Sequence, residues 1–150
     1  MPVLAICFSA LSGSFISAFV PAVNAELLLM GLAVATPPAW LLPVIALTTV
    51  GQMSGKVLLY LVGRGFVLVP AGRAGPWVAR ATARVDRYQR VGGSILFTSA
   101  LAGLPPFYLT SISAGVTRFS FRGFLMLGTL GRFLRFAAVA LVPVAVRSFL

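Results

Sequence analysis

The sequence predicts an all-α polytopic membrane protein in which two opposed re-entrant helical hairpins and spanning helices form an inverted-repeat-like domain, with one interfacial amphipathic helix. Three observations predict this. Hydrophobic residues make up 59% of the 150 and charged residues 9%, and the mean hydropathy is +1.03, far outside the soluble range. Two of the four apolar blocks are interrupted by prolines near their middle. A short internal echo relates the two halves of what reads as one domain over residues 1–150.

The first apolar block, residues 2 to 35, is too long for one crossing. As a single helix it would reach about 50 Å, against a hydrocarbon core of about 30 Å. "VPAVNAE" breaks it, because Pro21 removes a backbone donor and restricts the residue before it. Asn24 belongs to the same break. Residues 39 to 63 follow "TPP" and have the length of a spanning helix. Residues 93 to 117 are broken at "GLPPF", where the adjacent Pro105 and Pro106 cannot continue a helix and Gly103 belongs to the same break. Residues 123 to 150 form the last block.

Charge orients these blocks. The basic stretch 64 to 92 and "RFSFR" at 118 to 122 are both drawn to the cytoplasmic side. A hairpin at residues 93 to 117 that folds back at Gly103 to Pro106 keeps both inside, whereas a full crossing separates them. Irregular backbone at membrane depth needs protein or water around it, so such a break is expected to line a cavity. "TPP" then lies outside, and the first block is a hairpin from the outer face. Arg147 falls near the outer end of the last helix under this scheme.

The echo pairs "FISA" at 15 to 18 with "FTSA" at 97 to 100, Gly31 with Gly115, and "TVGQ" at 49 to 52 with "TLGR" at 129 to 132. A hairpin plus a spanning helix, twice, from opposite faces is the inverted-repeat plan of many transporters. In the basic stretch, Arg80, Arg84 and Arg87 recur at helical spacing opposite Trp77, Ala81, Val85 and Tyr88. That pattern predicts an amphipathic helix over 77 to 91 lying in a headgroup layer and holding anionic lipid. Asp86, one turn before Arg90, reads as a surface pair.

Several chemistries are excluded. There is no histidine to activate a serine. Glu26 and Asp86, the two acids, are placed at different depths and cannot act together. Cys7 is alone, so no intrachain disulfide or thiolate cluster forms, and no metal or cofactor is expected. No phosphate-loop or dinucleotide fingerprint is present. The chain is therefore not expected to be an enzyme. A net charge of +10, eleven of the twelve cations being arginine, serves membrane orientation and anionic lipid rather than nucleic acid. "VNA" before Glu26 resembles a signal-peptide site, but "MPVL" has no basic residue ahead of the apolar run, so the segment is expected to be retained.

What remains are ionisable groups inside apolar blocks: Glu26, Lys56, Arg132 and Arg135, with Arg64 at a span's inner end. A charge at the bilayer centre costs about 2.5–3.5 kcal/mol on insertion scales, so such groups face a cavity, pair, or reach for the interface. Lys56 and Arg64 can snorkel, while Glu26 cannot reach far and suits either a first-turn position or an intramembrane site.

In this order the residues resemble the DedA family, also called VTT or SNARE-associated Golgi proteins. "FVPAVNAELLLMGLA" is similar to that family's "P-x-P-S-E" hairpin, with Pro21 and Glu26 in the proline and acid places and Val23 and Asn24 replacing the second proline and serine. "GQMSGKVLLYLVGRG" resembles the Gly-rich helix that ends in an aromatic-x-x-x-Arg motif, here Tyr60 to Arg64. "LPPFYLTSISAG" resembles the second hairpin, and "FRGFLMLGTLGRFLRF" the final helix with its Gly-Lys/Arg-x-x-Arg feature. The resemblance covers about residues 9 to 140. Two features depart from it: the arginines flanking the second hairpin's proline are replaced around Ser99, Ala100 and Phe107 to Leu109, and no counterpart of the helix that usually precedes the first hairpin is seen.

The resemblance implies a lipid translocator of the bacterial-type plasma membrane. It implies flipping or scrambling of phospholipid or of a polyprenyl-phosphate carrier, coupled in some members to protons. The pathway residues are then Glu26, Lys56, Tyr60, Arg64, Arg132 and Arg135, the partners are membrane lipids and protons, and a second copy of so small a chain is expected to help enclose a path. A non-transporting scaffold that works through Arg80, Arg84 and Arg87, or a small-solute channel, are the alternatives.

Overall fold

The computed structural model describes residues 3–20, 23–65 and 85–149. Among them there are six α-helices and no strand: α1 (Val3–Ser17), α2 (Ala25–Ala35), α3 (Leu41–Gly63), α4 (Val85–Ala102), α5 (Phe107–Val116) and α6 (Phe121–Phe149). A 3-10 turn, Pro38–Trp40, leads into α3. Two stretches are long and apolar enough to cross a membrane, Pro38–Gly63 and Phe121–Pro143, whereas α1, α2 and α5 are each shorter than the roughly 20 residues a crossing needs. Both breaks foreseen in the long apolar blocks are present. Pro21 itself lies outside the described residues.

The chain divides into two compact units, Met1–Gly55 with Arg132–Leu150, and Lys56–Gly131. The first unit contains the α1–α2 pair, α3 up to Gly55 and α6 from Arg132. Its core is Ile6 and Ala10 of α1, Leu29 and Ala33 of α2, Val44 and Ile45 of α3, and Phe136 and Ala140 of α6, all buried. α1 lies close on α2, since Gly13 leaves room that the Leu28 side chain takes up. Buried hydroxyls are satisfied locally: Ser14 donates to the carbonyl of Ala10, Thr48 to that of Val44 and Thr49 to that of Ile45, the pattern by which serine and threonine sit inside apolar helices.

The second unit contains the end of α3, the α4–α5 pair and the start of α6. Its core is aromatic. Tyr60 stacks on Phe124 with ring centres 4.8 Å apart, and Phe124 in turn faces Phe107 at 6.4 Å. The break between α4 and α5 begins at Gly103, whose φ of 80° places it in the left-handed region that glycine tolerates. The peptide Leu104–Pro105 is cis, and Pro106 caps α5. Ser99 ties the break together: its hydroxyl donates to the Pro105 carbonyl at 2.5 Å and lies 2.9 Å from the Thr110 hydroxyl.

The two units repeat one motif. A Cβ on Gly55 would strike Ala18 and crowd the Phe15 carbonyl. One on Gly131 would strike Ala100 and crowd the Phe97 carbonyl. "FISA" and "FTSA" thus dock in the same way, each against a glycine that directly precedes a buried cation, Lys56 or Arg132. The same spacing carries Ala25, the first residue of α2, onto Phe107, the first of α5. It also carries the buried Ser17 onto the buried Ser99.

This register corrects the echo read from the letters. Gly55, not Gly51, is the counterpart of Gly131, because Gly55 meets Ala18 and the Phe15 carbonyl as Gly131 meets Ala100 and the Phe97 carbonyl, whereas Gly51 meets Leu11. Likewise Ala33, not Gly31, falls opposite Gly115.

A second difference concerns the amphipathic segment. Residues 85 to 91 are not a separate helix but the first turns of α4, which runs unbroken to Ala102. Gly92 and Gly93 do not interrupt it, because the Phe119 ring packs on both and Leu127 closes over Gly93. Arg80 and Arg84 lie outside the described residues, and Arg87 is described only as a position in α4.

Candidate functional site

In the first unit, α2 begins at the break, and its first turn is built for a carboxylate. Asn24 caps the helix, its Oδ1 accepting from the Glu26 backbone N–H at 2.9 Å. Glu26 is the acid of that first turn, where the helix dipole favours a negative charge. Arg135 reaches it from α6: its Nε donates to Glu26 Oε1 at 2.5 Å. The two side chains keep 26% and 23% of their surface, so the pair is partly sheltered rather than free in solvent. Charge-assisted bonds of this kind are shorter and stronger than neutral ones. Arg132, one turn before Arg135 on α6, is buried.

The acid read from the sequence as either a first-turn residue or an intramembrane ion is therefore both a first-turn residue and half of an ion pair. The same unit holds a buried polar group that is not among the pathway residues expected from the sequence. Gln52 of α3 directs its amide nitrogen to Ser17 Oγ at 3.4 Å, while its Oε1 has no protein partner among the described residues.

In the second unit, the aromatic-x-x-x-Arg motif forms a latch. Arg64 Nη1 donates to Tyr60 Oη at 2.6 Å, and Tyr60 Oη donates to the Phe119 carbonyl at 2.5 Å. Tyr60 is buried while Arg64 is exposed. The latch holds the turn between α5 and α6, where Arg118 adopts a φ of 54°, a conformation uncommon for any residue but glycine, asparagine or aspartate. Lys56, one turn ahead of Tyr60, is buried. Among the described residues no group of three histidine, cysteine or acidic side chains comes together to hold a metal.

The second unit also has a cavity of about 310 Å³ between α4 and α5. Ile95, Leu96, Leu109 and Phe119 supply apolar walls, and Thr110, Ser113 and Thr117 present hydroxyl-bearing side chains along one side of α5. The spacing 110, 113, 117 is visible in the sequence as one helical face.

Of the six pathway residues expected from the sequence, the structure joins Glu26 to Arg135 and Tyr60 to Arg64, and it buries Lys56, Tyr60 and Arg132. Comparison of the chain with protein-family models, curated proteins and solved structures returns no match.

Proposed function

We propose that this chain is a multi-pass membrane protein that moves lipid headgroups across a bilayer, as its resemblance to the DedA family implies. The observation that carries the reading is the Glu26–Arg135 pair at a helix break, with Arg132 buried one turn away. Ionisable groups of this kind in a largely apolar helical protein mark substrate or proton routes. Broken helices that present their ends to a site are the device of secondary transporters. Large apolar side chains on the outer surface, among them Leu4, Phe8, Leu104 and Met126, fit a hydrocarbon surround. The short helices α1, α2 and α5 beside the breaks fit hairpins that re-enter rather than cross.

The mechanism follows from the pair. With Glu26 ionised, Arg135 is engaged by the carboxylate. When Glu26 takes a proton, that bond weakens and the guanidinium turns to a lipid phosphate, which it holds through charge-assisted hydrogen bonds. Loss of the proton draws Arg135 back to the carboxylate and releases the headgroup.

In reconstituted vesicles, Glu26→Gln and Arg132→Ala are each expected to abolish headgroup transfer while the protein still inserts. Wild-type transfer rates in both variants would overturn the reading.

A further inference from the structure

The repeat shows where the two helix pairs part company. In the first unit, Leu28 of α2 fills the space over Gly13 of α1 and closes the pair. The equivalent positions in the second unit are Thr110 and Ile95, and both line the cavity. Thr110 is held back from that space, because its hydroxyl lies 2.9 Å from Ser99 Oγ and donates to the Phe107 carbonyl at 3.1 Å. Gly31 and Ala35 of α2 correspond to Ser113 and Thr117 of α5. The second pair has thus exchanged a leucine plug and two small apolar residues for three hydroxyls beside an open space.

We infer that the α4–α5 cavity binds the acyl chain and adjoining ester of a glycerolipid, an assignment that rests on the reading of the chain as a membrane protein. The lining selects this chemistry. No charged side chain contributes to it, so it suits neither a phosphate nor an ammonium group. Its walls are apolar, which suits hydrocarbon. Its polar capacity is one donor: Thr117 is committed to the Ser113 carbonyl at 2.8 Å and Thr110 to its own partners, whereas Ser113 Oγ makes no hydrogen bond among the described residues. A hydroxyl inside an apolar wall has most to gain from a neutral acceptor such as an ester carbonyl. The cavity is at the low end of the roughly 300–1,000 Å³ range of small-molecule sites, so it takes part of one chain rather than a whole lipid.

The test reconstitutes the full chain in phosphatidylglycerol vesicles doped with an analogue carrying a diazirine along one acyl chain, and maps photoadducts by mass spectrometry. Adducts are expected at residues 95, 96 and 113, about tenfold above those at the exposed Leu101 and Leu104 of the same pair, a ratio equal to ~1.4 kcal/mol of preference. Thr110→Leu, which supplies the side chain of the first unit, should reduce cavity labelling to the Leu101 level. Ser113→Ala fills nothing and should lower it about threefold to tenfold, the worth of one hydrogen bond, so the assignment stays testable if Thr110→Leu does not fold.

Cavity labelling no stronger than at Leu101 and Leu104, or unchanged by both variants, overturns the inference. Equal labelling by a diazirine-bearing prenyl chain, which has no ester, overturns the choice of a glycerolipid. The readout is occupancy, not transfer. Absent headgroup transfer with this labelling pattern intact therefore defeats the translocator reading and leaves the site standing.

Discussion

The two helix–break–helix pairs share a frame and differ in what they do with it. α1–α2 and α4–α5 dock through the same Phe-x-Ser-Ala ends, onto Gly55 and Gly131, in one register. The first pair is closed by Leu28 and carries a charge at its break, where Glu26 meets Arg135. The second is open, uncharged at its break, and lined with hydroxyls. Under the proposed lipid reading, the frame is repeated and the chemistry divided, with the ion pair serving a charged head and the apolar cavity a tail.

The largest expected effect comes from breaking the charged half alone. Arg135→Gln should reduce headgroup transfer at least as far as Glu26→Gln, on the order of 100-fold or more, ~2.7 kcal/mol in a barrier. The exchange Glu26→Arg with Arg135→Glu should restore part of the stability but not transfer, because the carboxylate leaves the helix start. Transfer assays beside thermal unfolding in micelles separate the two effects.

Next come the glycines, which test the frame. Gly55→Leu and Gly131→Leu should each destabilise by about 1–3 kcal/mol through overpacking against Ala18 or Ala100. The two effects should match. A large effect at one with none at the other would break the equivalence of the repeats.

Tyr60→Phe belongs to the second unit alone and should cost about 1–3 kcal/mol, since the Phe119 carbonyl loses its hydroxyl donor and Arg64 loses the hydroxyl as acceptor. The equivalent aromatic in the first unit, Phe136, already has no hydroxyl and is buried in an apolar core. The smallest effect is expected for Asn24→Ala, about 1 kcal/mol for a lost helix cap. Hydrogen exchange at the start of α2, unchanged in α5, would locate that loss.

The breaks and the long helices were legible in the sequence because their causes are local. Two adjacent prolines break a helix for a local reason, and an apolar run too long for one crossing calls for a break; a lone proline does not decide it, since Pro143 lies inside α6. The candidate ions were legible too, since a charge in an apolar block is conspicuous. The pairing of Glu26 with Arg135 was not: 109 residues separate them, and Lys56, Arg64 and Arg132 were also candidates for a cation's role.

Letter matching also misplaced the repeat by a turn, because "TVGQ" looks like "TLGR" while packing is decided by which glycine meets the Phe-x-Ser-Ala end. The cavity was hidden for a related reason. Hydroxyls at 110, 113 and 117 mark one helix face, but that the face opens on space depends on Thr110 standing where the other pair has Leu28.

The most direct measurement is dithionite-accessible headgroup transfer by the purified protein in vesicles, wild type against Glu26→Gln, with and without a pH gradient. Transfer by the wild type should respond to the gradient, and the variant should show none above protein-free vesicles under either condition. Transfer by Glu26→Gln equal to wild type, with the same response to pH, would contradict a proton-gated ion pair at the break.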